Sequence, residues 1–135
     1  MDSVDLAQAL SRHAQAKNLE QKILIQVNIA DESSKEGFSL EDVKTAWPAL
    51  VALPNLKIMG LMTMPPLTET REEVRPYFQE LKKLLRELHN KTDLSRHPLT
   101  ELSMGTSHDY PVALEEGASI VRLGTILFGE RTSKR

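Results

Sequence analysis

The chain has no cysteine, which excludes disulfides, thiolate metal sites and cysteine nucleophiles. That composition fits a reducing compartment. No apolar run approaches the roughly 20 residues that a membrane-spanning helix needs. The opening "MDSVDLAQAL" has no basic stretch followed by an apolar core, so it does not read as a secretory signal. Neither sign of charge dominates. Seventeen basic and 19 acidic residues are interspersed and give a net charge of -2, which leaves no electrostatic footprint for nucleic acid or an anionic membrane. The four histidines (His13, His89, His97 and His108) lack ligand spacing, so no metal site is expected. These absences point to a soluble cytoplasmic protein.

What is present is one domain's worth of chain: 135 residues, 40% of them apolar. Residues 5–17 place Leu6, Ala9, Leu10, His13 and Ala14 on one helical stripe, with Asp5 as the N-cap. "KILIQVNIA" (22–30) is a β-branched run, apolar at nearly every position, as strands covered on both faces are. A polar loop, "DESSKEGF", leads to a helix over 39–53 with Ser39 and Asp42 as a loose capping box and Pro48 disturbing its middle or end. "KIMGLMTM" (57–64) is a second strand. The strongest helix runs over 70–91, where Val74, Phe78, Leu81, Leu85 and Leu88 recur every three or four residues. A third strand (100–105), a short helix (109–117, capped by Asp109 and stopped by Gly117) and a fourth strand (119–124) follow. Alternation of this kind specifies a parallel sheet with covering helices. The domain spans 1–131, and residues 132–135 read as a tail.

In parallel α/β architectures ligands bind at the C-terminal ends of the strands. Two such ends carry "MGTS" (104–107) and "RLGT" (122–125), each a glycine near a hydroxyl. Glycine lets backbone N–H groups approach an anion, and a short helix starting near Thr125 adds its positive end. The two stretches form two sides of one phosphate cup. Alternatively, Gly105 and Gly124 are plain turn residues, and Ser107 or Asp109 only caps the next helix. Arg122 is odd inside an apolar strand, because a buried guanidinium needs partners. It either meets a ligand or a polar inner face, or pairs with a neighbouring carboxylate.

"MGTSHDYPVALEEGASIVRLGTILFGER", together with "GLMTM" and "ILIQVNIADESSKEGF" and more faintly "SVD" at 3–5, resembles the pyridoxal phosphate homeostasis protein family. That resemblance implies a (β/α)8 TIM-type barrel like the N-terminal domain of alanine racemase, with pyridoxal 5'-phosphate (PLP) at its C-terminal mouth. It implies that Ser107 hydrogen-bonds the phosphate, that Gly124 and Thr125 give it backbone amides, that Arg122 faces the pyridine nitrogen and that Met62 lines the pocket. The family anchors the cofactor as a Schiff base on a lysine of its first strand, in a segment unlike anything in this chain. Lys35, in the loop after a later strand, does not replace that anchor. The chain is therefore expected to be the C-terminal part of the barrel, about strands 4–8, starting at "SVD" and incomplete. The implied function is PLP binding and intracellular PLP homeostasis, as a carrier without established turnover. The family member is monomeric when full-length, and an open half-barrel would self-associate. Two other readings stay open: a racemase-like PLP enzyme fragment, and an interaction module that has lost the ligand.

Overall fold

Runs of β-branched and aliphatic residues form four strands, and the helices between them carry apolar stripes at helical spacing. The computed structural model describes residues 1–130, so the tail assigned to 132–135 lies outside the described residues. The order is α1 (Val4–Ala16), β1 (Gln21–Val27), α2 (Leu40–Ala52), β2 (Leu56–Thr63), a 3-10 turn (Arg71–Val74), α3 (Arg75–His89), β3 (Glu101–Thr106), α4 (Tyr110–Glu115), β4 (Ile120–Arg122) and α5 (Thr125–Phe128). The strands lie in the order β1-β2-β3-β4, and every pair is parallel. Each crossover contains a helix, as parallel neighbours require.

One face of the sheet holds the core. Ile25, Val27, Ile58, Leu61, Leu102 and Met104 meet Val43, Trp47 and Leu50 of α2 and Phe78, Leu81, Leu84 and Leu88 of α3. The other face is only partly covered, which corrects the expectation that β1 is buried on both sides. Leu24 and Gln26 are half-buried, because the helices pack on one side alone. Register sets one row across this second face: Gln26 opposite Met62, Met62 opposite Ser103, and Ser103 opposite Ile120. β2 and β3 lie close together at Gly60, where a Cβ would lie 1.8 Å from the Glu101 carbonyl oxygen.

Several local expectations are corrected. Ser3, not Asp5, caps α1, with its Oγ accepting the Leu6 amide. "SVD" gives the extended cap residue and the first turn of α1. Just before it, the Met1 carbonyl accepts the Gln26 amide of β1 at 2.7 Å. The buried stripe of α1 is Ala7, Ser11 and Ala14, while Leu6 and His13 are exposed. Small residues let the helix sit close, and the Ser11 hydroxyl is satisfied by donating to the Pro54 carbonyl at 2.6 Å. α2 runs through Pro48 to Ala52 and starts at Ser39, whose Oγ accepts the Asp42 amide.

His97 is 1% exposed and bridges two elements. Its Nδ1 accepts the Ile58 amide at 3.1 Å, which leaves Nε2–H to donate to the Val51 carbonyl, also at 3.1 Å. The ring is held neutral, and burial pushes it below its ordinary value of 6.5. The unfolded chain therefore takes up a proton, from about that pH downward, that the folded chain refuses. Stability is full above this range and declines as pH falls through it. His97→Ala is expected to lower the unfolding free energy by about 2–3 kcal/mol, since it strands an amide and a carbonyl. It should also flatten the pH dependence. Urea titrations at about pH 5 and pH 7 check both effects, and an unchanged slope would refute the neutral bridge.

Candidate functional site

Parallel pairing brings the ends of β3 and β4 together, with Thr106 opposite Arg122. After β3 the chain turns sharply into α4. Gly105 has φ +95, and a Cβ on it would come within 2.6 Å of the Ala113 Cβ. Glycine at 105 is therefore required by the close packing of α4. Asp109, expected to cap α4, makes no side-chain cap bond. Its carboxylate reaches back instead. Oδ1 accepts the Thr106 amide at 2.6 Å and the Thr106 hydroxyl at 3.1 Å, and the side chain is buried. The "MGTS" turn is thereby fixed from inside. At its far end α4 is tied down by Arg75, which pairs with Glu115 and Glu116 as well as Glu72. The Arg75 guanidinium holds the Glu72 and Glu116 carboxyls below the usual carboxylate range.

The turn so fixed aims Ser107 at the start of α5. Ser107 Oγ accepts the Gly124 amide at 3.1 Å and the Ile126 amide at 3.2 Å. Two backbone donors thus converge on one oxygen, whose own O–H has no acceptor among the described residues. Thr125 lies between these two residues and opens α5. Gly124 differs from Gly105: a Cβ there would meet nothing within 4 Å. Packing among the described residues gives no reason for glycine at 124. Gly124 and Thr125 are exposed, so the cup is shallow.

Arg122 meets no carboxylate within ion-pair distance among the described residues; every described ion pair lies elsewhere. The carboxylate-pair alternative is thus not what the structure shows. Nη1 donates to Ser103 Oγ at 2.7 Å and Nη2 to the Thr63 carbonyl at 2.9 Å. Thr63 is itself pinned by its hydroxyl, which donates to the Val27 carbonyl at 2.7 Å. Burial depresses the Arg122 pKa, and the more distant Asp109 charge opposes that shift. Met62 lies on the open face, half-buried, in the register row that contains Ser103.

Lys35 is not part of this cluster. Its Nζ pairs with Glu32 at 2.7 Å and donates to the Met64 carbonyl at 3.3 Å. It lines a cleft of about 300 Å³ at the ends of β1 and β2, with Gln26, Asn28 and Met64. The sequence reading missed Ser103, the Thr63 carbonyl, the Ile126 amide and the inward turn of Asp109. A signal existed for Ser103: it is a hydroxyl set between the apolar Leu102 and Met104, in the strand beside the one that carries Arg122. His108 is half-buried, and its Nε2 has no hydrogen-bond partner among the described residues.

Residues 1–132 match the family described as "Alanine racemase, N-terminal domain". The chain belongs to that family. It is 46% identical over 131 residues to the pyridoxal phosphate homeostasis protein of Aquifex aeolicus, covering 97% of this chain and 56% of that protein. It is 42% identical to the protein of the same name from Synechocystis, covering 97% and 59%. Among solved structures, PipY of Synechococcus elongatus with PLP bound superposes with a TM-score of 0.84 at 35% identity, over 96% of this chain and 58% of that one. The chain spans a little over half the length of these relatives. With its four-stranded parallel sheet it is a partial barrel. The expected placement in a C-terminal portion is corrected in one respect: the family match is to a domain described as N-terminal.

Proposed function

We propose that this chain supplies the phosphate- and ring-binding side of a PLP site and serves intracellular PLP homeostasis as a binder of the cofactor. The observation that carries this reading is the convergence of the Gly124 and Ile126 amides on Ser107 Oγ, one register position from an arginine without a carboxylate partner among the described residues. Barrels often place a phosphate between the loops after their last strands and a short extra helix, the same parts that meet here. Ser107 would donate its hydroxyl to the phosphate, while the Thr125 amide faces it and the Gly124 amide shares its hydrogen between the phosphate and Ser107 Oγ. Open space at Gly124 suits an anion brought close to the backbone.

Arg122 would face the ring nitrogen, and Met62 would line the pocket beside it. PLP, when bound, supplies an electron sink whose strength depends on protonation of that nitrogen. A guanidinium only donates hydrogen bonds, so Arg122 requires an unprotonated acceptor there. That favours holding the cofactor over driving carbanion chemistry. The reading places the protein in the cytoplasm with a small-molecule cofactor as its partner.

The probe that tests this is pyridoxine 5'-phosphate, which keeps ring and phosphate but has no aldehyde to label surface lysines. A shallow site with a few contacts gives an affinity of about millimolar. Ser107→Ala is expected to weaken binding about tenfold through loss of a charge-assisted hydrogen bond. Gly124→Ala should also weaken it, while leaving the urea midpoint unchanged. Equal affinity in both variants and the parent chain would refute the cup.

A further inference from the structure

Arg122 is oriented by two neutral acceptors, one of them a side chain. Ser103 is 3% exposed in a strand whose neighbours Leu102 and Met104 are buried and apolar. A buried hydroxyl costs stability unless it is hydrogen-bonded, and its described side-chain partner is Arg122 Nη1 at 2.7 Å. Without that contact the guanidinium would keep only the Thr63 carbonyl and could turn about it. Two anchor points on different nitrogens define the plane of the fork. Two of its five N–H donors are then engaged within the chain, and three remain for other acceptors.

The type of acceptor also matters. A carboxylate at 103 would hold the guanidinium equally well but would cancel its charge. A hydroxyl holds it and leaves the charge in place. We infer that Ser103 is a positioning residue, which fixes the Arg122 guanidinium toward the ring of a bound pyridoxal-type phosphate without neutralising it. This rests on the PLP reading given above. Ser103 acts through Arg122, whereas the phosphate cup at Ser107 and Gly124 is built separately by the "MGTS" turn and α5. The two parts of the site should therefore respond separately.

The test compares pyridoxine 5'-phosphate with inorganic phosphate on the full chain. Ser103→Ala is expected to weaken pyridoxine 5'-phosphate binding about five- to tenfold, the scale of one hydrogen bond to a charged group. Inorganic phosphate binding should stay within about twofold. Ser103→Thr, which keeps the hydroxyl, should restore most of the loss. In an Arg122→Met background Ser103→Ala should have no further effect, since the interaction it removes is already gone. Ser103→Cys serves as a second variant if alanine disturbs folding. Equal losses for both ligands, or an undiminished Ser103 effect in the Arg122→Met background, would overturn the assignment. So would wild-type binding by Ser103→Ala when Arg122→Met binds poorly. If Ser107→Ala and Arg122→Met both bind as the parent chain does, the PLP reading itself fails and the Ser103 assignment with it.

Discussion

Gly60→Ala is expected to destabilise the fold by about 3 kcal/mol or more, in the range of severe overpacking. The Cβ would sit 1.8 Å from the Glu101 carbonyl oxygen and 2.6 Å from its carbon. Both are backbone atoms of the neighbouring strand, so no side-chain rotation relieves the clash. Gly60 and Glu101 are also the first registered pair between β2 and β3. Separating them loosens the join between the β1–β2 half of the sheet and the β3–β4 half that carries Ser107 and Arg122. With a urea slope of about 2 kcal/mol/M, the midpoint should fall by about 1.5 M. An unchanged midpoint would show that this close approach is not held in solution.

Arg122→Met is expected to separate stability from binding. Burial already disfavours the Arg122 charge, and no carboxylate touches it. Methionine removes a poorly compensated cation and fills similar space, but leaves the Thr63 carbonyl and Ser103 hydroxyl without this donor. These effects oppose each other, so the unfolding free energy should change by less than about 1 kcal/mol. Binding of pyridoxine 5'-phosphate should fall about tenfold or more, because the cation facing the ligand is gone. Measuring urea midpoint and affinity on the same preparation decides the matter. A large loss of stability with unaltered affinity would make Arg122 a structural strut.

The strands and the α3 helix were legible because their patterns are strong and local. Of the expected stripe, Val74, Phe78, Leu81 and Leu88 are buried in the core, while Leu85 is only half-buried and Leu84 takes the inward position beside it. The face of α1 was legible only in part: Ala14 is buried and Leu10 packs on the core as expected. Close packing selects small residues, so Ala7 and Ser11 lie inward while the larger Leu6 stays exposed. Ser107 and Gly124 stood out as small residues at strand ends, but their joining depends on a hydrogen bond across 17 residues, which no local pattern encodes. Asp109 illustrates the same limit. An acidic residue before a helix reads as a cap, yet here its carboxylate is committed to the preceding turn. Its position is set by the tight β3–α4 packing at Gly105, a tertiary constraint. Gly105 and Gly124 looked equivalent in the sequence, and only their surroundings separate a packing glycine from one with open space before it.

The central claim is that the Ser107–Gly124–Arg122 cluster receives a pyridoxal-type phosphate. The most direct measurement is a 15N-resolved NMR titration of the chain with pyridoxine 5'-phosphate, alongside unphosphorylated pyridoxine. Addition of the phosphate ester should shift the Gly124, Thr125 and Ile126 amides first and together, with Arg122 Nε following and saturation at about millimolar ligand. Pyridoxine at the same concentration should leave the three amides in place. Shifts confined to other parts of the chain, or none at these amides up to saturation elsewhere, would contradict the account.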